Sequence, residues 1–327
     1  MLVSLILIPG GVSSEGEAFQ TTYAGGLRGM RTLIIGCGYV GRHLGEELVR
    51  QGHQVWGLQR TRSRRMELEE TGIKPLTADI TKPETLTAVN EHFDWIVNCV
   101  SASGGGAPEY RQVYVQGMRN LVRWLADRPP RRFVYTGSTS VYAQADGSRV
   151  DETSPTEPTV PTGQALVEAE KTLLEASQQS GFPGIVLRVA GIYGPGRGYW
   201  IKQYLSGEAR IEGNGQRILN MIHRDDVAGA IICALSRGRE GQIYNVVDDE
   251  PVEQRVCLEW LASRLGRGFP VCVAEDPDTD RKRGITNKRV SNRKLKTDIG
   301  YRFIYPTFRQ GFEAELQRLG FPVHTAS

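Results

Sequence analysis

The chain reads as an α/β protein, a doubly wound parallel sheet followed by a smaller C-terminal substrate region, and two observations carry that reading. From Arg31 onward, short apolar runs alternate with helical patterns, the arrangement that successive βαβ units require. The first junction between such a run and a helix is the turn Gly36-Cys37-Gly38-Tyr39-Val40-Gly41. A strand before it and a helix after it are the context in which a GxGxxG pattern signals a bound dinucleotide. Gly36 permits the tight turn, Gly38 lets the backbone approach a pyrophosphate, and Gly41 lets helix and strand pack closely. The helix that opens with Tyr39 and Val40 adds unpaired N–H groups and a favourable dipole for the anion.

The elements follow in order. Thr32 to Ile35 is the first strand, Val40 to Val49 the first helix and His53 to Leu58 the second strand. After a polar stretch come a strand at Lys74 to Leu76, a helix around Pro83 to Val89 and a strand at Trp95 to Val100. A long helical pattern, Pro108 to Ala126, leads into the strand Arg132 to Thr136. Ser154 to Pro161 is a loop, since Pro155, Pro158 and Pro161 do not fit a helix interior. A helix at about Gly163 to Ser177 then precedes the strand Ile185 to Val189. Beyond Gly191 the closely spaced Gly194, Pro195, Gly196 and Gly198 mark a change of texture, followed by short helices among basic loops. The expected domains are residues 30–190, completed by a strand near 242–247, and a mainly substrate-binding region over 191–327.

Residues 1–29 fit neither domain. Leu2 to Ile8 is apolar but far short of the roughly 20 residues that span a bilayer. No Lys or Arg precedes Arg28, so the positive start of a signal peptide is missing. A start codon assigned too early, with Met30 as the true first residue, accounts for this segment.

Composition narrows the function. A net charge of +3 argues for neither nucleic acid nor an acidic membrane surface. The cysteines Cys37, Cys99, Cys233, Cys257 and Cys272 are scattered, with no CxxC pair, which indicates neither a disulfide framework nor a metal site and fits a reducing cytoplasm. The expected partner is a small-molecule substrate, with a homodimer as the oligomer to test.

Cofactor choice is read at the end of the second strand, where NAD readers present an acid and NADP readers an Arg. The sequence there is Leu58-Gln59-Arg60-Thr61-Arg62-Ser63-Arg64-Arg65. Gln59 does not repel a phosphate and Arg60 can pair with it bidentately. One such bond of about 1.5 kcal/mol or more gives at least a tenfold preference for NADP over NAD.

Several stretches together resemble the extended short-chain dehydrogenase/reductase family, which includes the NAD-dependent epimerases and dehydratases of nucleotide sugars. They are the glycine turn, the pair Asp79-Ile80 after the third strand, the run Phe133 to Tyr142, the stretch Leu187 to Gly196 and the segment His223 to Val227. The resemblance implies a Rossmann-like fold, a nicotinamide cofactor contacted also by Asp79 and Ile80, and hydride transfer. It places Ser138 at the family's catalytic Ser or Thr, which hydrogen-bonds the reacting oxygen.

The family's Tyr-x-x-x-Lys pair is absent: Thr162 and Leu166 stand at its positions. A phenol of pKa near 10 is brought toward the operating pH by an adjacent ammonium, and proton transfer of that kind is worth roughly a hundred- to ten-thousand-fold in rate. Thr162 and Leu166 offer neither group. Lys171 lies roughly 140° around the helix from Leu166 and points elsewhere. The remaining proton-transfer candidates are Tyr142, Tyr193 and His223. Leu219 and Asn220 stand where sugar-nucleotide enzymes carry an Arg-Asp pair, and Thr139 and Ser140 stand where dehydratases carry acids. The chain is therefore similar to the atypical members that keep the cofactor turn and lack the Tyr and Lys, an impression strengthened by the segments Tyr244 to Pro251 and Asn287 to Lys294. Two readings stay open: an NADP-dependent oxidoreductase or epimerase with a rearranged proton-transfer group, and a noncatalytic NADP(H)-binding regulator or scaffold.

Overall fold

Seven parallel strands form the central sheet of the computed structural model, which describes residues 29–102, 104–274 and 286–322. They are β1 (Arg31–Ile35), β2 (Gln54–Gln59), β3 (Lys74–Thr77), β4 (Trp95–Asn98), β5 (Arg132–Ser138), β6 (Gly184–Val189) and β7 (Ile243–Val246). Their spatial order is β7-β6-β5-β4-β1-β2-β3. The order reverses beside β1, which pairs with β2 on one side and β4 on the other. Register sets Ile35 level with Leu58 and Asn98, so the chain leaves three neighbouring strands at one edge. In open α/β sheets that edge, at the point of reversal, is where ligands bind.

The inner strands carry mostly buried residues because helices cover both faces of the sheet, while the edge strand β3 is half exposed. Those used below are α1 (Tyr39–Arg50), α2, α3 (Pro161–Ser180), α4 (Arg224–Arg237), α5 (Gln254–Leu265) and α6 (Phe308–Arg318). Helix α2 runs through Gly106–Tyr110, Arg111–Gln116 and Gly117–Trp124, with the middle piece in π form. It passes so close to the end of β3 that a Cβ on Gly117 would lie 2.6 Å from Ile80 Cδ1.

Element boundaries moved where chemistry at the ends decided them. Helix α3 begins at Pro161, earlier than expected, because a proline in the first turn gives up an N–H that has no helical partner anyway. The polar stretch after β2 holds a short helix, Arg65–Glu69, anchored by the buried Leu68. Strand β4 stops at Asn98, since the backbone at Val100 is already needed against Gly36. The expectation about residues 1–29 falls, but for Gly29, outside the described residues.

A large hydrophobic cluster surrounds the sheet and draws in residues from α4, β7 and the helix Arg293–Ile299. A second, smaller cluster joins Tyr193, Ile201, Tyr204, Met221 and Leu258 with Phe308, Phe312 and Leu316 of α6. Residues after 191 thus build their own core and also complete the first one. Among the described residues no helix is long and apolar enough to cross a membrane.

Candidate functional site

The ends of β1, β2, β4 and β5 open onto a cavity of about 700 Å³. The glycine turn forms its floor. Gly36 has φ +81°, and a Cβ there would lie 2.8 Å from the backbone of Val100. On Gly41 a Cβ would lie 2.6 Å from the carbonyl oxygen of Gly36. Gly38 differs: nothing lies within 4 Å of a Cβ placed on it, so its missing side chain leaves an open cradle. Helix α1 starts at that cradle with no side-chain cap and no acid in its first turn. Its N–H groups and dipole therefore remain available to an anion. The arginines at 197 and 224 lie over the Tyr39 ring, at 5.3 and 5.5 Å, and Arg197 also lines the cavity. Sequence reading missed Arg197, whose signal was only its place in the glycine-rich stretch. The donor set and the cradle fit a dinucleotide pyrophosphate.

Tyr39 and Val40 line this cavity, as do Gln59, Arg60, Asp79 and Ile80, while Gly41 packs behind it. The Gln59 amide donates to the carbonyl of Cys37 at 3.0 Å, tying the end of β2 to the turn. Arg60, Thr61, Ser63 and Arg64 extend the wall beyond it. The Asp79 carboxylate accepts from the amide and hydroxyl of Thr81, at 2.9 and 2.8 Å, which makes it a turn-former at the rim. The Ile80 carbonyl accepts from Asn120 of α2 at 2.7 Å. Burial pushes the Cys37 thiol up to about 12, so its place near a helix start gives it no thiolate character.

A second cavity, about 330 Å³, adjoins the first. Ser138, Ala190, Gly191 and Ile192 line both. Ser138 ends β5, and its hydroxyl oxygen accepts from the amide of Ser140 at 3.2 Å, with the Ser140 hydroxyl 2.9 Å away. Lys288 enters this cavity from the C-terminal region. It is 4% exposed, and its ammonium donates to the Tyr142 carbonyl at 2.9 Å and to the Thr286 hydroxyl at 2.8 Å. Burial lowers its pKa to about 8. Asn220 fixes the lysine's backbone, donating to the Lys288 carbonyl at 2.9 Å and accepting from the Val290 amide at 2.9 Å. Lys288 stood in the sequence inside a basic run whose spacing gave no sign of burial.

The aromatic candidates are placed elsewhere or turned away. Tyr142 is fully buried and lines neither cavity. Its hydroxyl donates to Asn245 at 2.8 Å and accepts from Arg188 at 2.9 Å, and Arg188 is paired with the buried Glu170 at 2.8 Å. Burial pushes Tyr142 up to about 12 despite the guanidinium, so the proton donor expected there is instead a link between β6, β7 and α3. Tyr193 borders the second cavity with its ring edge-on to Phe312, but its hydroxyl is buried against Gly311 of α6 with no hydrogen-bond partner among the described residues. Burial raises it well above the usual tyrosine value, a poor setting for proton exchange. His223 is also fully buried, capping α4 through the Asp225 amide at 3.2 Å and meeting Glu315 at 3.1 Å. Asp226 binds the hydroxyl of Tyr301 and the amides of Ile304 and Tyr305, clamping the C-terminal segment onto α4. Thr162 and Leu166, 7% and 2% exposed on the inner face of α3, line neither cavity. Lys171 is exposed and pairs with Glu175 at 3.6 Å.

The model of the NAD dependent epimerase/dehydratase family matches residues 32–247. Protein YeeZ of Escherichia coli (strain K12) is 29% identical over 286 residues, 84% of this chain and 96% of YeeZ. Among solved structures, a functionally unknown conserved protein from Silicibacter pomeroyi DSS superposes with a TM-score of 0.72 at 29% identity, covering 89% of this chain and 99% of that one. The dTDP-glucose 4,6-dehydratase of Bacillus anthracis str. Ames, solved in complex with NAD, superposes with a TM-score of 0.75. At 20% identity, over 89% of this chain and 96% of that one, it shares the fold.

Proposed function

The chain belongs to the NAD dependent epimerase/dehydratase family, and from that premise we propose that it is an NADP(H)-dependent oxidoreductase acting on a small carbonyl- or hydroxyl-bearing molecule. The observation that carries the reading is the meeting of two cavities at Ser138, Ala190, Gly191 and Ile192. The glycine turn and Arg197 would hold the pyrophosphate, Gln59 and Arg60 the phosphorylated ribose, and Asp79 with Ile80 the far end. When bound, the nicotinamide cofactor supplies or accepts a hydride. Ser138 hydrogen-bonds the reacting oxygen, with Ser140 holding the Ser138 hydroxyl in place. Thr139 and Ser140 offer no carboxylate for elimination of water, which favours oxidoreduction over dehydration.

Binding of NADPH and NADH, compared by titration calorimetry for the wild type and Arg60→Ala, tests the cofactor assignment. Loss of one charge-assisted hydrogen bond weakens NADPH tenfold or more and leaves NADH nearly unchanged. Equal affinities in the wild type would sink the preference. A second reading, a noncatalytic NADP(H) binder, draws support from the burial of Thr162 and Leu166 away from both cavities. It becomes the better one if NADPH binds but no carbonyl in a broad panel oxidises it.

A further inference from the structure

Among the described residues, the walls of the second cavity carry two cations and no carboxylate. Lys288 is the deeper of the two. An ammonium has three hydrogens to donate, and Lys288 spends two on neutral oxygens, those of Tyr142 and Thr286. Among the described residues it has no acidic partner: its hydrogen bonds are these two, and burial alone accounts for its lowered pKa. Arg217 is the second cation. Its side chain is 28% exposed and its Nη1 makes a long ion pair with Glu212 at 3.9 Å, but its Nε is buried and has no hydrogen-bond partner among the described residues.

Lys288, a buried charge with neutral neighbours, costs free energy unless an anion completes it. The rest of the wall is apolar where it meets Trp200, Leu219 and Met221. A volume of about 330 Å³ lies at the small end of ligand pockets.

We propose that the second cavity is a site for a small carboxylic acid, its carboxylate received by Lys288 and Arg217 and its hydrocarbon part by Trp200, Leu219 and Met221. This rests on reading the cavity as the place of the substrate, and it names the substrate's class. The carboxylate meets the free N–H of Lys288 and the unpaired Nε–H of Arg217, so two charge-assisted hydrogen bonds replace two orphaned donors. Anchored there, an oxo or hydroxy acid keeps its reacting carbon free to face the shared wall at Ser138.

The test uses the full chain, with and without NADPH, and three probes: acetate, 2-oxobutyrate and benzoate, each set against its uncharged primary amide. Titration calorimetry measures affinity, and acetic anhydride labelling read by mass spectrometry measures protection of Lys288. At least one carboxylate is expected to bind tenfold or more tightly than its amide and to slow labelling of Lys288. Lys288→Met and Arg217→Gln should each weaken that carboxylate tenfold or more while leaving NADPH affinity unchanged, which also shows that the variants fold. Equal binding of acid and amide, unprotected Lys288, or full carboxylate affinity in Lys288→Met would overturn the proposal. So would inorganic phosphate binding more tightly than every carboxylate, which would make this a phosphate site. Because the carboxylate titrations are also run without cofactor, failure of NADPH to bind would count against the oxidoreductase reading alone.

Discussion

Gly38 and Gly36 stand two residues apart in one turn, yet the structure assigns them different tasks, so the same substitution at each should fail differently. Gly36→Ala forces a side chain into the left-handed region at φ +81°, with its Cβ 2.8 Å from the backbone of Val100. The backbone conformation costs about 1–2 kcal/mol and the overpacking about 1–3 kcal/mol, a loss of about 2–5 kcal/mol before any ligand is added. At roughly 2 °C per kcal/mol for a chain of this size, Tm falls by about 4–10 °C. Gly38→Ala meets no atom within 4 Å, so its unliganded Tm should fall less than that of Gly36→Ala. Its methyl instead fills the cradle. If that costs about 2.7 kcal/mol of binding, inside the overpacking range, NADPH weakens about a hundredfold. At a concentration a hundred times the wild-type Kd, ligand stabilisation then drops from about 2.7 kcal/mol to about 0.4 kcal/mol. A thermal-shift titration of the three proteins reads both effects. A Gly38→Ala protein that keeps the full NADPH shift, or that loses as much intrinsic stability as Gly36→Ala, would refute the assignment of that cradle to the cofactor.

Two further substitutions probe buried charge. Because Lys288 titrates at about 8 in the folded protein against an ordinary value of 10.5, the unfolded chain holds more protons between those values and wild-type stability should rise with pH there. Measured by denaturation from pH 7 to 10.5, Lys288→Met should therefore be ahead of wild type by about 3 kcal/mol more at pH 7 than at pH 10.5; a gap that does not change with pH would show that Lys288 is not depressed. Leu166→Lys puts a charge at a position 2% exposed. It should cost several kcal/mol of stability and a correspondingly lower Tm, and a variant as stable as wild type would mean that the inner face of α3 admits water.

The glycine turn was legible because its signal is local: three glycines at fixed spacing between an apolar run and a helical pattern. Gln59 and Arg60 were legible for the same reason, since the end of β2 follows the turn at a regular distance. The aromatic candidates failed for the opposite reason. Tyr142 and Tyr193 look alike in sequence, each ending a strand-like run, and only their neighbours distinguish them. Arg188 and Asn245 claim the first hydroxyl, and Gly311 blocks the second. His223, read as a proton-transfer candidate, meets Glu315, and Asp226 nearby holds Tyr301 and the backbone at Ile304, residues far away along the chain.

By itself the sequence determined the alternation of strands and helices, the glycine turn, the basic end of β2 and the presence of Thr162 and Leu166, neither of which is a phenol or an ammonium. Each of these follows from hydrophobic periodicity, backbone freedom or side-chain chemistry within a short window. Only the tertiary structure decided that the ends of β5 and β6 give two cavities a common wall at Ser138 and Ala190, because that depends on strand register. It alone decided that Lys288, one cation in a basic run, is taken out of water and set beside the Tyr142 carbonyl. Burial is a property of what packs around a residue, and for Lys288 those neighbours include Tyr142, 146 positions away, and Asn220, 68 positions away.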